Sequence, residues 1–200
     1  MFRNDRTGRK KQVCQVAVDV FFEKGYTEAS LHDIAARANI SKAGIYHYFK
    51  TKSEILSCIL LGLTEEGFGL VAETVTKAKS EKQDQQDVVA ALIKAYAFNI
   101  LKNQRISLLI LRERDQLTPH HRKELLKKER TVFEMVRNEL AALPELKTHF
   151  NINVITFQVI STIHWMGYWY DPEGLLSVND VLDQMIETIL TGILQNEKTE

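Results

Sequence analysis

The chain has 200 residues, 44% of them hydrophobic, with three prolines and nine glycines, and its 26 Lys/Arg balance 26 Asp/Glu. That length fits one to two domains with a substantial core, and apolar residues recurring mainly at helical rather than alternating spacing point to an all-α fold. Zero net charge speaks against nucleic-acid binding unless the charge is unevenly spread, and the two cysteines, Cys14 and Cys58, have no metal-like spacing and do not suggest a secreted disulfide scaffold.

A first helix is expected from about Arg9 to Lys24, with Val13, Ala17, Val20 and Phe21 inward and Gly25 as its stop. Arg3, Arg6, Arg9, Lys10 and Lys11 form a basic arm at its start. Ser30 is a good N-cap with Asp33 three residues on, and Leu31, Ile34, Ala35 and Ala38 share one apolar face of a second helix. Asn39 tolerates the left-handed conformation that ends helices, Ile40 plugs the angle, and Ser41 caps a third helix from Lys42 to about Phe49. Ile45 and Phe49, four apart, face inward, which leaves Lys42, Ala43, Gly44, Tyr46, His47 and Tyr48 directed elsewhere.

Thr51 with Glu54 forms a second capping pair and opens a fourth helix to about Ala78, carrying Ile55, Leu56, Ile59, Leu60 and Leu63 inward. Gly62, Gly67 and Gly69 within it either allow close packing or soften a connector. The polar run from Lys79 to Asp87 reads as a loop. Helices follow at about Val88 to Leu101, Ile106 to Arg114, from Thr118-Pro119 to before Leu143-Pro144, His149 to Tyr170, and from Ser177, boxed by Asp180, to Leu194. That makes about nine helices. His120-His121 reads as solvated surface, and His164 as a satisfied buried histidine or a pocket wall.

The two-helix stretch SLHDIAARANISKAGIYHYFKTK, Ser30 to Lys52, with Phe21 to Tyr26 before it, resembles the N-terminal domain of the TetR family of bacterial transcriptional repressors from about Arg9 to about Leu60. Ala29 departs from it, standing where the family often carries threonine. The resemblance implies an N-terminal three-helix helix-turn-helix DNA-binding domain over 1–53 and a C-terminal helical ligand-binding and dimerisation domain over 54–200. Charge agrees: residues 1–55 carry 10 Lys/Arg against 6 Asp/Glu, and the remainder 16 against 20. Carried over position by position, Lys42, Ala43, Gly44 and Tyr46 would touch base edges in the major groove, His32 would join them, and His47, Tyr48 and Lys52 would contact phosphates.

Ile155, Val159, Thr162, Ile163 and Met166, with Val181, Leu182, Met185, Ile189 and Ile193, form apolar stripes on the last two helices. In the family these two helices make the dimer interface. A homodimer suits two half-sites about 34–36 Å apart, although the stripes could instead close the monomer core. The segment Leu108 to Arg137 and the ending from Trp165, chiefly the element Trp169 to Ser177, resemble the branch that responds to acyl-coenzyme A thioesters. An acyl chain would then meet Phe98, Leu109, Phe157, Ile160, Trp165 and Trp169, and Arg112, Arg114 or Arg105 the coenzyme phosphates.

The chain lacks HExxH, CxxC, GxSxG and a glycine-rich phosphate loop, so no enzyme activity, cofactor or metal is expected. No apolar run approaches the roughly 18 residues that span a bilayer, and Asp19 and Glu23 interrupt the N-terminal stretch that could imitate a signal peptide. The expectation is a soluble, cytoplasmic repressor of double-stranded operator DNA, released by a small apolar effector, with no membrane partner. A helical small-molecule carrier or sensor without DNA binding, or a repressor of drug-like apolar ligands, stays open beside it.

Overall fold

The computed structural model describes residues 2–144 and 146–195 and, of these, the side chains of all but 2–7 and 63, so the side chains of Arg3, Arg6 and Leu63 lie outside the described residues. Among the described residues the chain is all-α. Its helices are α1 (Phe2–Lys24), α2 (Leu31–Arg37), α3 (Lys42–Tyr48), α4 (Lys52–Ser80), α5 (Gln85–Lys102), α6 (Gln104–Glu113), α7 (Pro119–Ala141), α8 (Ile152–Trp169) and α9 (Val178–Ile193), with one 3-10 turn at Arg114–Gln116. The β-type pairing present is an isolated antiparallel bridge between Leu146 and Leu194.

The helices divide into two compact units, each assembled from two stretches of chain. The first runs up to Glu65 and adds Arg105–Lys128; the second is Glu66–Gln104 with the chain from Glu129 onward. The unit holding the helix-turn-helix is thus larger than residues 1–53. It includes the first half of α4, α6 and the start of α7, because Leu109, Leu117 and Leu125 are buried in the same cluster as Phe21, Ile34, Ile45 and Phe49. Burial of each such side chain contributes about 1.5–3 kcal/mol.

Local signals place the first unit's helices. Gly25 has φ +79° and its N–H reaches back to Phe21 at 3.0 Å, ending α1. Because α1 starts at Phe2 rather than near Arg9, the basic arm is helical. Ser30 accepts from Asp33 N (3.1 Å) while the Asp33 carboxylate accepts from Ser30 N (2.9 Å), the reciprocal box its spacing predicts. Asn39 adopts φ +52°, and Ser41 Oγ accepts from Gly44 N at 3.0 Å. The pair at the start of α4 is only half a box: Thr51 Oγ1 accepts from Glu54 N (3.2 Å), but the Glu54 carboxylate accepts from Lys50 N (2.8 Å). His121 is not plain surface, since its Nδ1 shares hydrogen bonds with the buried Ser57 hydroxyl (2.7 Å) and with Thr118 (3.0 Å); His120 is exposed.

In the second unit α5 packs against α8 and α9. The expected loop over Lys79 to Asp87 shrinks to residues 81–84, because Asp84 Oδ1 accepts from Asp87 N at 2.8 Å and starts α5 early. A Cβ on Gly167 would lie 2.9 Å from Ile100 Cγ2, and one on Gly67 would collide with Asn99, so these glycines allow close helix approach. Gly62 and Gly69 have no such neighbour.

The stripes assigned to a dimer seam lie largely in this unit's own core: Ile155, Val159, Ile163, Met166, Val181, Leu182 and Ile193 are buried there, Met185 and Ile189 pack against it, and Thr162 is exposed. The opposite face of α8 exposes Val154, Phe157, Trp165 and Tyr168.

Contrary to the expectation of no bilayer-length apolar run, α4 is long and apolar enough by length and composition to cross a membrane. Its apolar residues have a closer use: Ile55, Leu56, Ile59 and Leu60 are buried in the first unit's cluster, and Val71, Val75 and Ala78 in the second's. Glu65 and Glu66 interrupt the stretch, and Glu65 pairs with Lys128 at 3.2 Å.

Candidate nucleic-acid interface

α2 and α3 meet through Ile34, Ala35, Ile45 and Phe49, all essentially buried, so their remaining faces are fixed by packing. The inward side of α3 is used up by the spacing of Ile45 and Phe49 alone. Outward stand Lys42, Ala43, Tyr46 and His47, with His32 exposed on α2, while Gly44 and Tyr48 are half-buried. Lys42 has no hydrogen-bond or ion-pair partner among the described residues. Tyr46 is 40% exposed, whereas Tyr48 packs on the edge of the core and meets the His47 ring edge-on at 5.3 Å.

Gly44 occupies the narrowest point. A Cβ there would lie 3.2 Å from Ser41 Oγ and 3.7 Å from Ile40 Cβ, beside the N–H that the serine caps. Ala43 and Gly44 therefore present a low surface between Lys42 and Tyr46, over which a nucleic-acid groove can close.

Several cations of this unit are already committed. Arg37 forks onto Glu23 at 2.8 and 2.6 Å, Lys24 meets Asp33 at 2.5 Å, and Arg105 meets Asp19 at 2.5 Å. The Lys24 ammonium and then the Ser30 donors hold the Asp33 carboxyl well below the usual carboxylate range, and Arg37 lowers Glu23 likewise. Lys50 Nζ donates to Tyr46 O (2.9 Å), closing the end of α3. Lys52, expected to meet phosphate, donates to Tyr26 O (2.6 Å) and Thr27 O (2.8 Å), which leaves one of its three N–H groups. Lys10, from the basic arm, lies 5.1 Å over the Phe49 ring.

The residues named for an effector fall in both units. Leu109 is 2% exposed in the first unit's core, and Arg112 lies 5.9 Å from the Phe22 ring centre. In the second unit Ile160 packs against the core, but Phe98, Phe157, Trp165 and Trp169 are exposed, Trp165 stacking on Tyr168 at 4.8 Å. His164, read from sequence as a satisfied buried histidine or a pocket wall, is satisfied, and what sequence reading missed is its partner and one cavity. Tyr96 OH bonds His164 Nε2 at 2.7 Å between α5 and α8; burial raises the tyrosine and lowers the histidine, so the imidazole is neutral and satisfied. A solvent-open cavity of about 480 Å³ also lies between α7 and α8, lined by Arg130, Phe133, Glu134, Arg137, Asn138, Asn153 and Phe157. Only the i, i+3, i+7 recurrence of Arg130, Phe133 and Arg137 on α7 hinted at it.

Residues 14–58 match the family described as "Bacterial regulatory proteins, tetR family", and residues 82–193 match "Tetracyclin repressor-like, C-terminal domain". The chain is 23% identical over 194 residues to the HTH-type transcriptional repressor KstR2 of Rhodococcus jostii (strain RHA1), covering 94% of this chain and 92% of that one. It is 23% identical over 187 residues to the fatty acid metabolism regulator protein of Bacillus subtilis (strain 168), covering 91% and 94%. In fold it resembles AibR, solved in complex with isovaleryl coenzyme A and operator DNA, with a TM-score of 0.74 at 20% identity, covering 90% and 97%. These relatives are transcriptional regulators rather than enzymes, and this chain belongs to the TetR family of bacterial transcriptional regulators.

Proposed function

We propose that the protein is an operator-binding repressor that works as a homodimer and is released by an acyl-coenzyme A thioester. The observation that carries the DNA reading is the outer face of α3: an unpaired Lys42, the low Ala43 and Gly44, and an exposed Tyr46, held on a core built from Ile45 and Phe49. Lys42 and Tyr46 read base edges with His32 beside them, and His47, Tyr48, the remaining Lys52 N–H and Lys10 meet phosphates. The DNA-reading face is assigned to residues 1–53, within the larger first unit.

Dimerisation is assigned to the exposed α8 face, Val154, Phe157, Trp165 and Tyr168, since an unpartnered stripe of this kind marks an association surface. The effector reading is supported by the Trp169 to Ser177 element and by the fatty-acid and isovaleryl coenzyme A regulators among the similar proteins. Repression ends when the effector binds the form with low operator affinity more tightly than the form with high affinity, and α4, with residues in both units, is the element through which that preference would act. Titrating acyl-coenzyme A thioesters of increasing chain length into the preformed protein–operator complex tests this. Release by one chain-length class at stoichiometric concentration is expected; a complex that no thioester dissolves would discard the effector assignment and leave the repressor.

A further inference from the structure

We infer, resting the choice of ligand on the effector reading above, that the cavity between α7 and α8 is a binding site for a phosphorylated adenosine, the head group of the acyl-coenzyme A effector. Arg130, Phe133, Glu134, Arg137 and Asn138 recur at i, i+3, i+4, i+7 and i+8, so one face of α7 supplies them, and Asn153 and Phe157, four apart, answer from α8. All of them belong to the second unit, and at about 480 Å³ the cavity falls within the roughly 300–1,000 Å³ of small-ligand sites. Of the α8 stripe assigned to dimerisation, Phe157 alone lines the cavity, which puts the site at the edge of that stripe.

The wall is a donor surface. A guanidinium can only donate, so the side-chain oxygens of Asn153 and Asn138 face Arg137, which reaches them with Nε at 3.0 Å and Nη1 at 3.4 Å. Each amide nitrogen is thereby turned away from Arg137 with its donors to offer, and those two bonds leave Arg137 three of its five N–H groups. Arg130 directs Nε to Glu134 at 2.9 Å and keeps both Nη groups. Two guanidiniums against one carboxylate make the lining net positive. Such a wall takes an acceptor-rich anion, and the planar fork of arginine matches phosphate oxygens.

The rings choose the organic part. Phe157 tilts against Phe133 with centroids 4.6 Å apart and an interplanar angle of 44°, yet it is 61% exposed. A ring pair left wet inside a concave, cationic site offers a stacking surface for a flat heterocycle. Phe133 follows Arg130 by three residues and precedes Arg137 by four, so a base resting on the rings has a guanidinium towards each end; the Cα positions of the two arginines are about 10.5 Å apart along α7. That spacing suits a nucleotide with phosphates on both sides of its ribose, as coenzyme A has at the 3′ and 5′ positions, better than one linear phosphate chain. The arginines named from sequence for those phosphates, Arg105, Arg112 and Arg114, lie in the first unit, where Arg105 is committed to Asp19.

Isothermal titration of the full-length protein, without DNA, against adenosine 3′,5′-bisphosphate, coenzyme A, ATP and pantetheine reads the site directly. The bisphosphate and coenzyme A should compete for the same site, with pantetheine silent. Arg130→Gln, at a side chain 80% exposed and clear of the core, should weaken coenzyme A binding on the order of tenfold, as should Arg137→Gln and Phe157→Ala. Glu134→Gln should tighten it severalfold, a gain that a purely structural Arg130–Glu134 pair would not give. A bisphosphate that does not bind, or that binds all four variants as it binds the wild type, would overturn the proposal. ATP binding as tightly as coenzyme A would keep the cavity as a nucleotide site and overturn its assignment to the coenzyme. Operator release by an acyl thioester that is unchanged in Arg130→Gln and Arg137→Gln would leave the effector reading standing and remove its head group from this cavity; bisphosphate bound here while no thioester releases DNA would do the reverse.

Discussion

Lys52 Nζ donates to the carbonyl oxygen of Tyr26 at 2.6 Å and lies 4.7 Å from the centre of the same residue's ring. The first residue of α4 thereby holds the turn between α1 and α2, with Thr27 O as a second acceptor. Lys52→Met should lower unfolding stability by about 1–2 kcal/mol by leaving those carbonyls to water and removing the cation–π contact. It should also weaken DNA binding uniformly across sequences. Chemical denaturation read beside operator titration checks both, and unchanged stability would return Lys52 to a purely phosphate-facing role.

Ser30 caps α2 and Ser41 caps α3, the helix proposed to read DNA. Ser41→Ala removes the acceptor for Gly44 N and should cost about 1 kcal/mol. Gly44→Ala places a methyl 3.2 Å from Ser41 Oγ and into the low surface beside Ala43. Operator affinity should fall more in Gly44→Ala than in Ser41→Ala although the latter loses more stability; circular dichroism melts and anisotropy on the same samples separate the two effects.

Acid sensitivity follows from Asp33. Its folded-state pKa lies below the unfolded value, so the stability from Lys24 and the Ser30 box is fully present above about pH 4 and is lost as pH falls further. Asp33→Asn should flatten that part of the stability–pH curve while lowering the plateau. Denaturant midpoints between pH 2.5 and 7 measure it.

His164 gives the opposite group in a different window. Burial depresses its folded pKa below 6.5, so the unfolded chain binds the proton more readily; stability is full above about pH 6.5 and declines as pH drops beneath it. Tyr96→Phe, which strips the imidazole of its 2.7 Å partner, should cost about 1–2 kcal/mol at pH 7. Urea unfolding at pH 7.5 and 5.5, with His164→Gln as the control lacking the pH step, would reveal it.

Trp165→Glu puts a carboxylate at the centre of the exposed α8 stripe without touching Ile163 or Met166 in the core. Sedimentation equilibrium should show a dimer for the wild type and a monomer for the variant. A variant that stays dimeric would move the interface elsewhere.

Caps, stops and inward faces were legible because each rests on neighbours within four residues: Ser30 with Asp33, Asn39, Ser41, and Ser177 with Asp180 all take the geometry that their spacing predicts. The outward set on α3 follows by subtraction once Ile45 and Phe49 are assigned. What the chain concealed depends on long-range meetings. Tyr96 meets His164, and Leu109 joins the core of residues 13–60, neither of which periodicity can report. The α8 aromatics looked like pocket walls because an apolar helix with residues on both sides gives no local sign of which side the core takes.

The most direct measurement is fluorescence anisotropy of a labelled fragment of the upstream DNA titrated with the protein and with Lys42→Ala at several salt concentrations. Tight wild-type binding that weakens steeply with salt, at about 0.9 in logarithmic slope per phosphate neutralised, is predicted, with Lys42→Ala losing preference for the operator over unrelated duplex. Equal affinity of the two proteins for both duplexes, or no salt dependence, would contradict the assignment of α3 as the reading helix.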